Sequence, residues 1–272
     1  VWLCRCIAVY DTTRKTMSKK HKVIHDSDFT LIGDFFKALD RQGPCSEEAT
    51  LKALSFIEEL PADAKIVDAG CGTGGQTITL AKNTTGHITA IDLMPAFIES
   101  LQQAVKWESL ADRITPVTGS MGELPFDEQE LDLIWAEGSI YHIGFKYGLS
   151  YFNRFIKPGG YLVASEVSWF TDERPEEIAG FWHENYPEID TIPTKVVQMQ
   201  QAGFVPLAHF VMPQTCWWNY FNPIRDNYSK FLHQQGNSRA AKDLISHFEH
   251  EIGLYDKYKE YYGYVFYIGR KV

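Results

Sequence analysis

The sequence predicts an α/β fold built on a doubly wound, largely parallel sheet. Between residues 65 and 167, short apolar runs of strand type alternate with segments of helical period. This order implies right-handed crossovers between parallel strands. Polar residues lie at the ends of four strand-type runs: Asp68, Asp92, Ser120 and Glu137. Because ligands of such sheets bind at the carboxyl ends of the strands, the sequence predicts a site where these four residues meet.

Residues 1–16 resemble neither a signal peptide nor a membrane span. Their mostly apolar start is interrupted by Arg5 and lacks a basic lead or a small-residue cleavage site. Met17 and the polar residues after it are typical of an ordinary start. We therefore expect residues 1–16 to be a disordered extension and residues 17–272 to form a single domain.

Two helices are predicted before the sheet, over about residues 27–60. Asp28 opens the first, in which apolar residues recur at helical spacing and which Gly43-Pro44 ends. Ser46 is a suitable N-cap for the second, with two glutamates in its first turn. Core packing explains most of the aromatic residues of this segment.

A glycine-rich turn follows the predicted strand 65–69. Gly70, Gly72 and Gly74 lack a β-carbon, so the turn can adopt positive φ and a ligand can lie against bare backbone. A helix of about residues 74–82 follows and directs its N-terminus at that ligand. The alternative is a tight turn without a ligand.

The strand-type run 87–92 ends in Asp92, about 20 residues beyond the glycines, where a carboxylate can accept hydrogen bonds from both hydroxyls of a ribose. Nicotinamide dehydrogenases share this feature, and Gly70, Gly72 and Gly75 also satisfy their Gly-x-Gly-x-x-Gly pattern. Both cofactor classes stay open at this point of the chain.

Two later motifs separate these classes. The segments 119–126 with 131–135, and 155–163, resemble the "G-D-A-x-x-L-P-F…F-D-x-V" and "L-K-P-G-G-x-L" segments of class I S-adenosylmethionine-dependent methyltransferases. Asp68-x-Gly70-x-Gly72-x-Gly74 resembles the first motif of the same family, so the resemblance spans about residues 45–170. One departure is Ser120, where the family usually has an acid for the adenine amino group; the backbone amide of Met121 offers a substitute.

The resemblance implies S-adenosyl-L-methionine as the cofactor and a Rossmann-like, seven-stranded sheet whose last strand runs antiparallel between its neighbours. The cofactor-binding residues that it implies are Asp68, Gly70, Cys71, Gly72, Thr73, Gly74, Gln76, Asp92, Leu93, Ser120, Met121 and Glu137.

The remaining elements follow in chain order. We expect a helix at about 95–107, strands at 113–118 and 130–136, a helix at about 146–156, a strand at 160–167, a helix at 194–201, a strand at 204–211 and a last strand at 262–269. Two insertions, about 168–192 and 213–261, are predicted to cap the ligand edge as helical lids. Their aromatic residues at 169, 170, 182, 217 and 218 are candidates for contact with the acceptor.

Methyl transfer is an in-line displacement, so an enzyme must mainly align a nucleophile and exclude water. Tyr141 and His142, just beyond the fourth strand, are the predicted catalytic residues, with Glu137 as an alternative base or as a contact to the methionine end of the cofactor. Packing is the competing explanation for Tyr141 and His142. The absence of an Asn-Pro-Pro-Tyr segment argues against adenine or glutamine amide as the acceptor.

The composition of the chain limits the classes of partner that it can be expected to bind. The 272 residues carry a formal charge of -9, which argues against nucleic acid and leaves a small-molecule acceptor as the predicted partner, with no membrane contact. Five cysteines show neither a disulfide framework nor zinc-ligand spacing, so we expect no metal and a cytoplasmic location. A homodimer is left open. The alternatives to an O- or N-methyltransferase are a cofactor-binding regulatory protein without turnover and a nucleotide-dependent oxidoreductase.

Overall fold

The computed structural model describes residues 26–272, with side chains from residue 30. The expected extension at 1–16 lies outside these residues. The helices of the described part are α1 Asp26–Phe36, α2 Glu47–Leu54, α3 Gly75–Asn83, α4 Pro95–Trp107, α5 Phe145–Phe155, α6 Glu176–Asn185, α7 Ile192–Gln201, α8 Gln214–Gln234 and α9 Arg239–Tyr258. The strands are β1 Lys65–Ala69, β2 His87–Asp92, β3 Ile114–Thr118, β4 Leu131–Glu137, β5 Ile156–Trp169, β6 Asp190–Thr191, β7 Phe204–Val211 and β8 Tyr262–Lys271. None of these helices is both long and apolar enough to cross a membrane.

Seven strands form one continuous sheet in the order β3-β2-β1-β4-β5-β8-β7, and the two-residue β6 pairs with the end of β5. The pairs among β1 to β5 are parallel, whereas β8 pairs antiparallel with both β5 and β7. The predicted Rossmann-like, seven-stranded sheet with an inserted antiparallel last strand is therefore confirmed.

Both faces of the sheet are covered. Successive residues of β1 enter different hydrophobic clusters, Ile66 on one face and Val67 on the other. All seven residues of β4 are buried, as expected for a central parallel strand between two helical layers. The carboxyl ends of β1, β2 and β4 consequently lie together at one edge, where the polar residues that follow them can meet.

The two insertions contain more structure than their sequence suggested. The segment 168–192 includes α6 and β6, and the segment 213–261 forms the two long helices α8 and α9. Rings from α1, α8 and α9 pack together: Phe35 lies 4.9 Å from the ring centroids of both Phe231 and Phe248. The side-chain amide of Asn227 also donates to the carbonyl of Phe35. The α8–α9 hairpin therefore holds the helix that precedes the sheet.

Candidate functional site

A cavity of about 830 Å³, including its opening to solvent, lies at the carboxyl edge of the sheet. We call it the glycine-loop cavity. Its walls come from the turn after β1, the ends of β2, β3 and β4, the 3-10 turn Ile140–His142 and the segment between α1 and α2. The lining residues are Arg41, Gln42, Gly43, Pro44, Cys45, Gly70, Cys71, Gly72, Gln76, Ile91, Asp92, Leu93, Phe97, Gly119, Ser120, Met121, Glu137, Gly138, Ser139, Tyr141 and His142.

The glycine turn has no room for side chains. Gly70 and Gly72 have φ of 79° and 55°, in the left-handed region that favours glycine. A β-carbon on Gly70 would overlap the side chains of Ser139 and Met121, and one on Gly72 would overlap Gln42. The turn therefore needs glycine both for its backbone conformation and for the close approach of its neighbours.

Asp92 is the carboxylate that organises this wall. Its Oδ2 accepts a hydrogen bond from the Gly72 amide and its Oδ1 one from the Met94 amide, both at 2.9 Å. Burial raises the pKa of the Asp92 carboxyl to about 6 despite these bonds. Each oxygen retains a second lone pair, so the same carboxylate can hold the turn and accept hydroxyl donors from a ligand.

Three residues that the resemblance placed at the cofactor, Asp68, Thr73 and Gly74, are not among the residues that line the cavity, and their contact with the cofactor stays a prediction. Asp68 is bonded to α3: its Oδ2 accepts from Thr77 Oγ1 at 2.6 Å and its Oδ1 from Gln76 Nε2 at 3.4 Å. Burial raises its pKa to about 7. Thr73 Oγ1 donates to the carbonyl of Leu39, at 2.9 Å. A β-carbon on Gly74 would meet Leu101 of α4.

Glu137 lies at the end of β4 with its carboxylate bonded from three directions. Arg41 Nη1 lies 2.5 Å from Oε1, while Thr50 Oγ1 and Trp135 Nε1 donate to Oε2 at 2.9 and 3.0 Å. Both Arg41 and Glu137 line the cavity. A cation and an anion thus stand side by side in one wall, an arrangement that matches the two charges of an amino acid group.

Arg41 and Gln42 are cavity residues that the sequence did not reveal. Gln42 Oε1 accepts from the Thr73 amide at 2.9 Å, and Gln42 Nε2 donates to Thr73 Oγ1 at 3.0 Å. The Gly43-Pro44 break indicated only a helix end. No local sequence pattern predicted that the residues before this break contact the glycine turn some thirty positions later.

Tyr141 and His142, the predicted catalytic pair, both line the cavity. Their ring centroids lie 4.0 Å apart, and the ring of Tyr141 also contacts that of Tyr186 from the first insertion. His142 Nδ1 is buried without a hydrogen-bond partner among the described residues. Burial lowers the pKa of the His142 imidazole to about 3, so the ring is neutral at physiological pH.

The aromatic residues of the insertions occupy other positions. Trp169, Trp182 and Trp217 are almost fully buried, and each contacts Tyr262 of β8 with ring centroids 5.2 to 6.0 Å apart. Neither they nor Phe170 and Trp218 line the glycine-loop cavity. These rings chiefly pack against β8, and their predicted contact with an acceptor stays a prediction.

The chain is similar in sequence to known methyltransferases. Residues 66–160 match the family described as "Methyltransferase domain". A sarcosine/dimethylglycine N-methyltransferase of Aphanothece halophytica is 31% identical over 123 residues, which are 45% of this chain and 44% of that protein. A phosphoethanolamine N-methyltransferase of Triticum aestivum is 23% identical over 223 residues, 74% of this chain and 43% of that protein. The chain thus spans less than half the length of either relative.

The fold also has a close structural counterpart. A methyltransferase from Geobacter sulfurreducens, solved in complex with S-adenosyl-L-homocysteine, superposes with a TM-score of 0.78. The alignment covers 92% of this chain and all of that chain, at 19% sequence identity. At that identity the likeness establishes the shared fold alone.

Proposed function

We propose that this chain, whose residues 66–160 form a methyltransferase domain of the class I S-adenosylmethionine-dependent type, transfers a methyl group to an oxygen or nitrogen atom of a small-molecule acceptor. One observation carries the proposal. A single cavity joins the glycine turn, the Asp92 carboxyl and the Ser120-Met121 segment to Tyr141 and His142. The proposal therefore gives the cofactor and the acceptor adjoining places in one cavity.

The cavity fits the parts of S-adenosylmethionine. The Asp92 carboxylate can accept hydrogen bonds from both ribose hydroxyls, while the glycine turn leaves bare backbone beside it. Ser120 and Met121 line the same cavity, and we assign the adenine ring to them. Arg41 and Glu137 offer a cation for the carboxylate and an anion for the ammonium of the methionine end. When bound, the cofactor supplies a methyl group on a positively charged sulfur, which is open to direct displacement.

The acceptor side of the proposal rests on the 3-10 turn. Tyr141 provides a buried ring as a wall, and the unpaired Nδ1 of His142 can accept a hydrogen bond from the N–H or O–H of an acceptor. Both curated relatives are named as N-methyltransferases, which favours an amine. We also propose a reducing, cytoplasmic location, which the buried free thiols of Cys45, Cys71 and Cys216 support.

The test begins with the cofactor. Calorimetry should detect binding of S-adenosylhomocysteine, and Gly72→Val should abolish it by filling the space beside Gln42. Transfer of label from methyl-labelled S-adenosylmethionine to a pool of small amines and alcohols then tests turnover. Wild-type affinity in Gly72→Val would contradict the assigned site. Binding without transfer to any acceptor would support the regulatory alternative.

A further inference from the structure

Arg174 lies in the turn between β5 and α6 and has no acidic partner among the residues that the structure describes. Its guanidinium carbon is 4.4 Å from the ring centroid of Trp169, over which it stacks. Its Nη1 is buried without a hydrogen-bond partner, and the ion pairs formed by residues 26–272 do not include it. Arg174 as a whole is half-buried, but a buried donor without an acceptor is costly, so an acceptor that arrives from outside the chain would stabilise Nη1.

Within the described part of the chain, Arg174 lacks an acidic partner even though several carboxylates lie close to it in sequence. Asp172, Glu173 and Glu176 are exposed close to Arg174 in sequence, yet none pairs with it. Glu177 instead accepts from Lys257 and Tyr258. In a chain with a net charge of -9, a guanidinium that stacks on tryptophan and avoids its acidic neighbours is available to another anion.

Strand register places Trp169, over which Arg174 stacks, further along β5 than the residue that pairs with Glu137. Ser165 of β5 pairs with Glu137 of β4, and its hydroxyl accepts from the Gly138 amide. Trp169 lies four residues further along β5, so it shares the face of Ser165 and stands about 13 Å beyond it. Trp169 also belongs to the hydrophobic cluster that contains Tyr141. A small elongated molecule spans this distance.

Two further polar atoms of the same segment are buried without partners among the described residues: Thr171 Oγ1 and Trp182 Nε1. Trp182 is only 1% exposed, and its ring contacts Tyr262, which also contacts Trp169. The segment therefore combines one positive charge with an indole N–H and a hydroxyl that lack acceptors. All three side chains can donate hydrogen bonds, which is the requirement for binding an anion.

We propose that Arg174 binds an anionic group, a carboxylate or a phosphate, at the end of the methyl acceptor remote from the reacting atom. The inference rests on the proposed methyl transfer and specifies its substrate class. The acceptor carries its nucleophile beside Tyr141 and His142 and its anion under the turn before α6. Trp169 supports the guanidinium from below, and Thr171 and Trp182 supply additional donors.

The experiment compares two matched pairs of probes, sarcosine with its neutral amide and phosphoethanolamine with ethanolamine. Binding to the full chain saturated with S-adenosylhomocysteine is measured by saturation-transfer NMR, and kcat/KM by label transfer. Arg174→Met keeps the stacked stem and removes the charge, Arg174→Lys restores a charge without the fork, and Arg154→Met is the control on an exposed arginine that pairs with Glu128.

We expect wild-type protein and Arg154→Met to prefer an anionic probe over its neutral partner by about tenfold or more. Arg174→Met should lose that preference, Arg174→Lys should keep part of it, and neither should change the affinity for S-adenosylhomocysteine. The carboxylate and phosphate pairs show which anion is preferred. Equal treatment of anionic and neutral probes by the wild-type protein, or an unchanged preference in Arg174→Met, would overturn the proposal. Failure to bind S-adenosylhomocysteine would instead count against the proposed function.

Discussion

Arg41 and Glu137, 96 positions apart in the chain, meet in the wall of the glycine-loop cavity, where 2.5 Å separate Arg41 Nη1 from Glu137 Oε1. Arg41 follows α1 and Glu137 ends β4, so this contact fastens the helices before the sheet to its central strand. The pair also supplies the cation and the anion that we assign to the carboxylate and the ammonium of the proposed cofactor.

The first prediction concerns Arg41. Arg41→Ala should weaken binding of S-adenosylhomocysteine by about tenfold to a hundredfold, because a charge-assisted bond to the ligand carboxylate is lost. Calorimetry gives the affinity, and Arg154→Ala is the matched control. Since Thr50 and Trp135 still donate to Glu137, the variant should remain folded. An unchanged affinity would place the methionine end elsewhere.

The second prediction is a pH dependence that originates in Asp92. Its pKa of about 6 in the free protein means that ribose hydroxyls, which donate to the ionised carboxylate, must compete with a proton below that pH. Affinity for S-adenosylhomocysteine should fall by up to about tenfold per pH unit below about pH 6. Asp92→Asn should bind weakly at every pH and lose the slope. The measurement is calorimetry between pH 5 and 8, and the same slope in Asp92→Asn would assign the titration to another group.

The third prediction concerns stability and Asp68. Burial raises its folded-state pKa to about 7, above the value near 3.8 expected when unfolded, so its contribution is fully present below about pH 4 and is lost as pH rises towards 7. Asp68→Asn removes the titration. The stability difference between pH 5 and pH 8, measured by urea unfolding, should therefore shrink by about 1 kcal/mol or more in Asp68→Asn. An unchanged difference would show that Asp68 is ionised throughout this range.

The fourth prediction separates two roles of His142. A base with a pKa of about 3 accepts protons poorly near neutral pH, so we expect His142 to orient the acceptor rather than to deprotonate it. His142→Asn should lower kcat by less than about a hundredfold. Any fall in the wild-type rate between pH 7 and pH 5 should persist in this variant. Tyr141→Phe should retain most activity if the ring serves as a wall. A limb near pH 6.5 that disappears in His142→Asn would restore the general-base assignment.

The fifth prediction concerns the buried ion pair on the other face of the sheet. Lys195 Nζ lies 3.1 Å from Glu166 Oε1, and both side chains are almost fully buried. Lys195→Met should destabilise the fold by about 3–5 kcal/mol, because it leaves a carboxylate uncompensated. The double variant Lys195→Met/Glu166→Gln should recover part of the loss. Urea unfolding of both single variants and the double variant decides whether the two effects are coupled.

Strand pattern and glycine chemistry were sufficient to predict the fold. The predicted strands 65–69, 87–92 and 204–211 coincide with β1, β2 and β7 because each is a compact apolar run between clear turn signals. The 168–192 segment was different: it was predicted only as a helical lid, without bounds for a helix, because its aromatic and acidic residues have no dominant period. Tertiary contacts to β8 give that segment its structure.

The cavity was predictable only where its residues adjoin strand ends. Asp92 ends β2, Met121 and His142 follow β3 and β4, and the structure brings the three residues to one cavity. Arg41 and Gln42 reach the same space from a helix end, through contacts to residues 31 and 96 positions away. Asp68 shows the converse: its strand position was predicted, but side-chain direction depends on the partners Thr77 and Gln76 in α3.

The glycine-loop cavity depends on residues outside the methyltransferase domain match, because ring contacts between α1 and the α8–α9 hairpin hold one of its walls. Residues 66–160 contain the glycine turn and the strand ends, but one wall comes from residues 41–45. The helix before that wall is held by Phe35, whose ring packs against Phe231 and Phe248 from the two helices between β7 and β8. A mutation in the hairpin, far from every ligand atom, can therefore alter cofactor affinity by loosening α1. In a set of related chains, variation at position 231 or 248 would accompany variation at position 35 more closely than variation in the glycine turn.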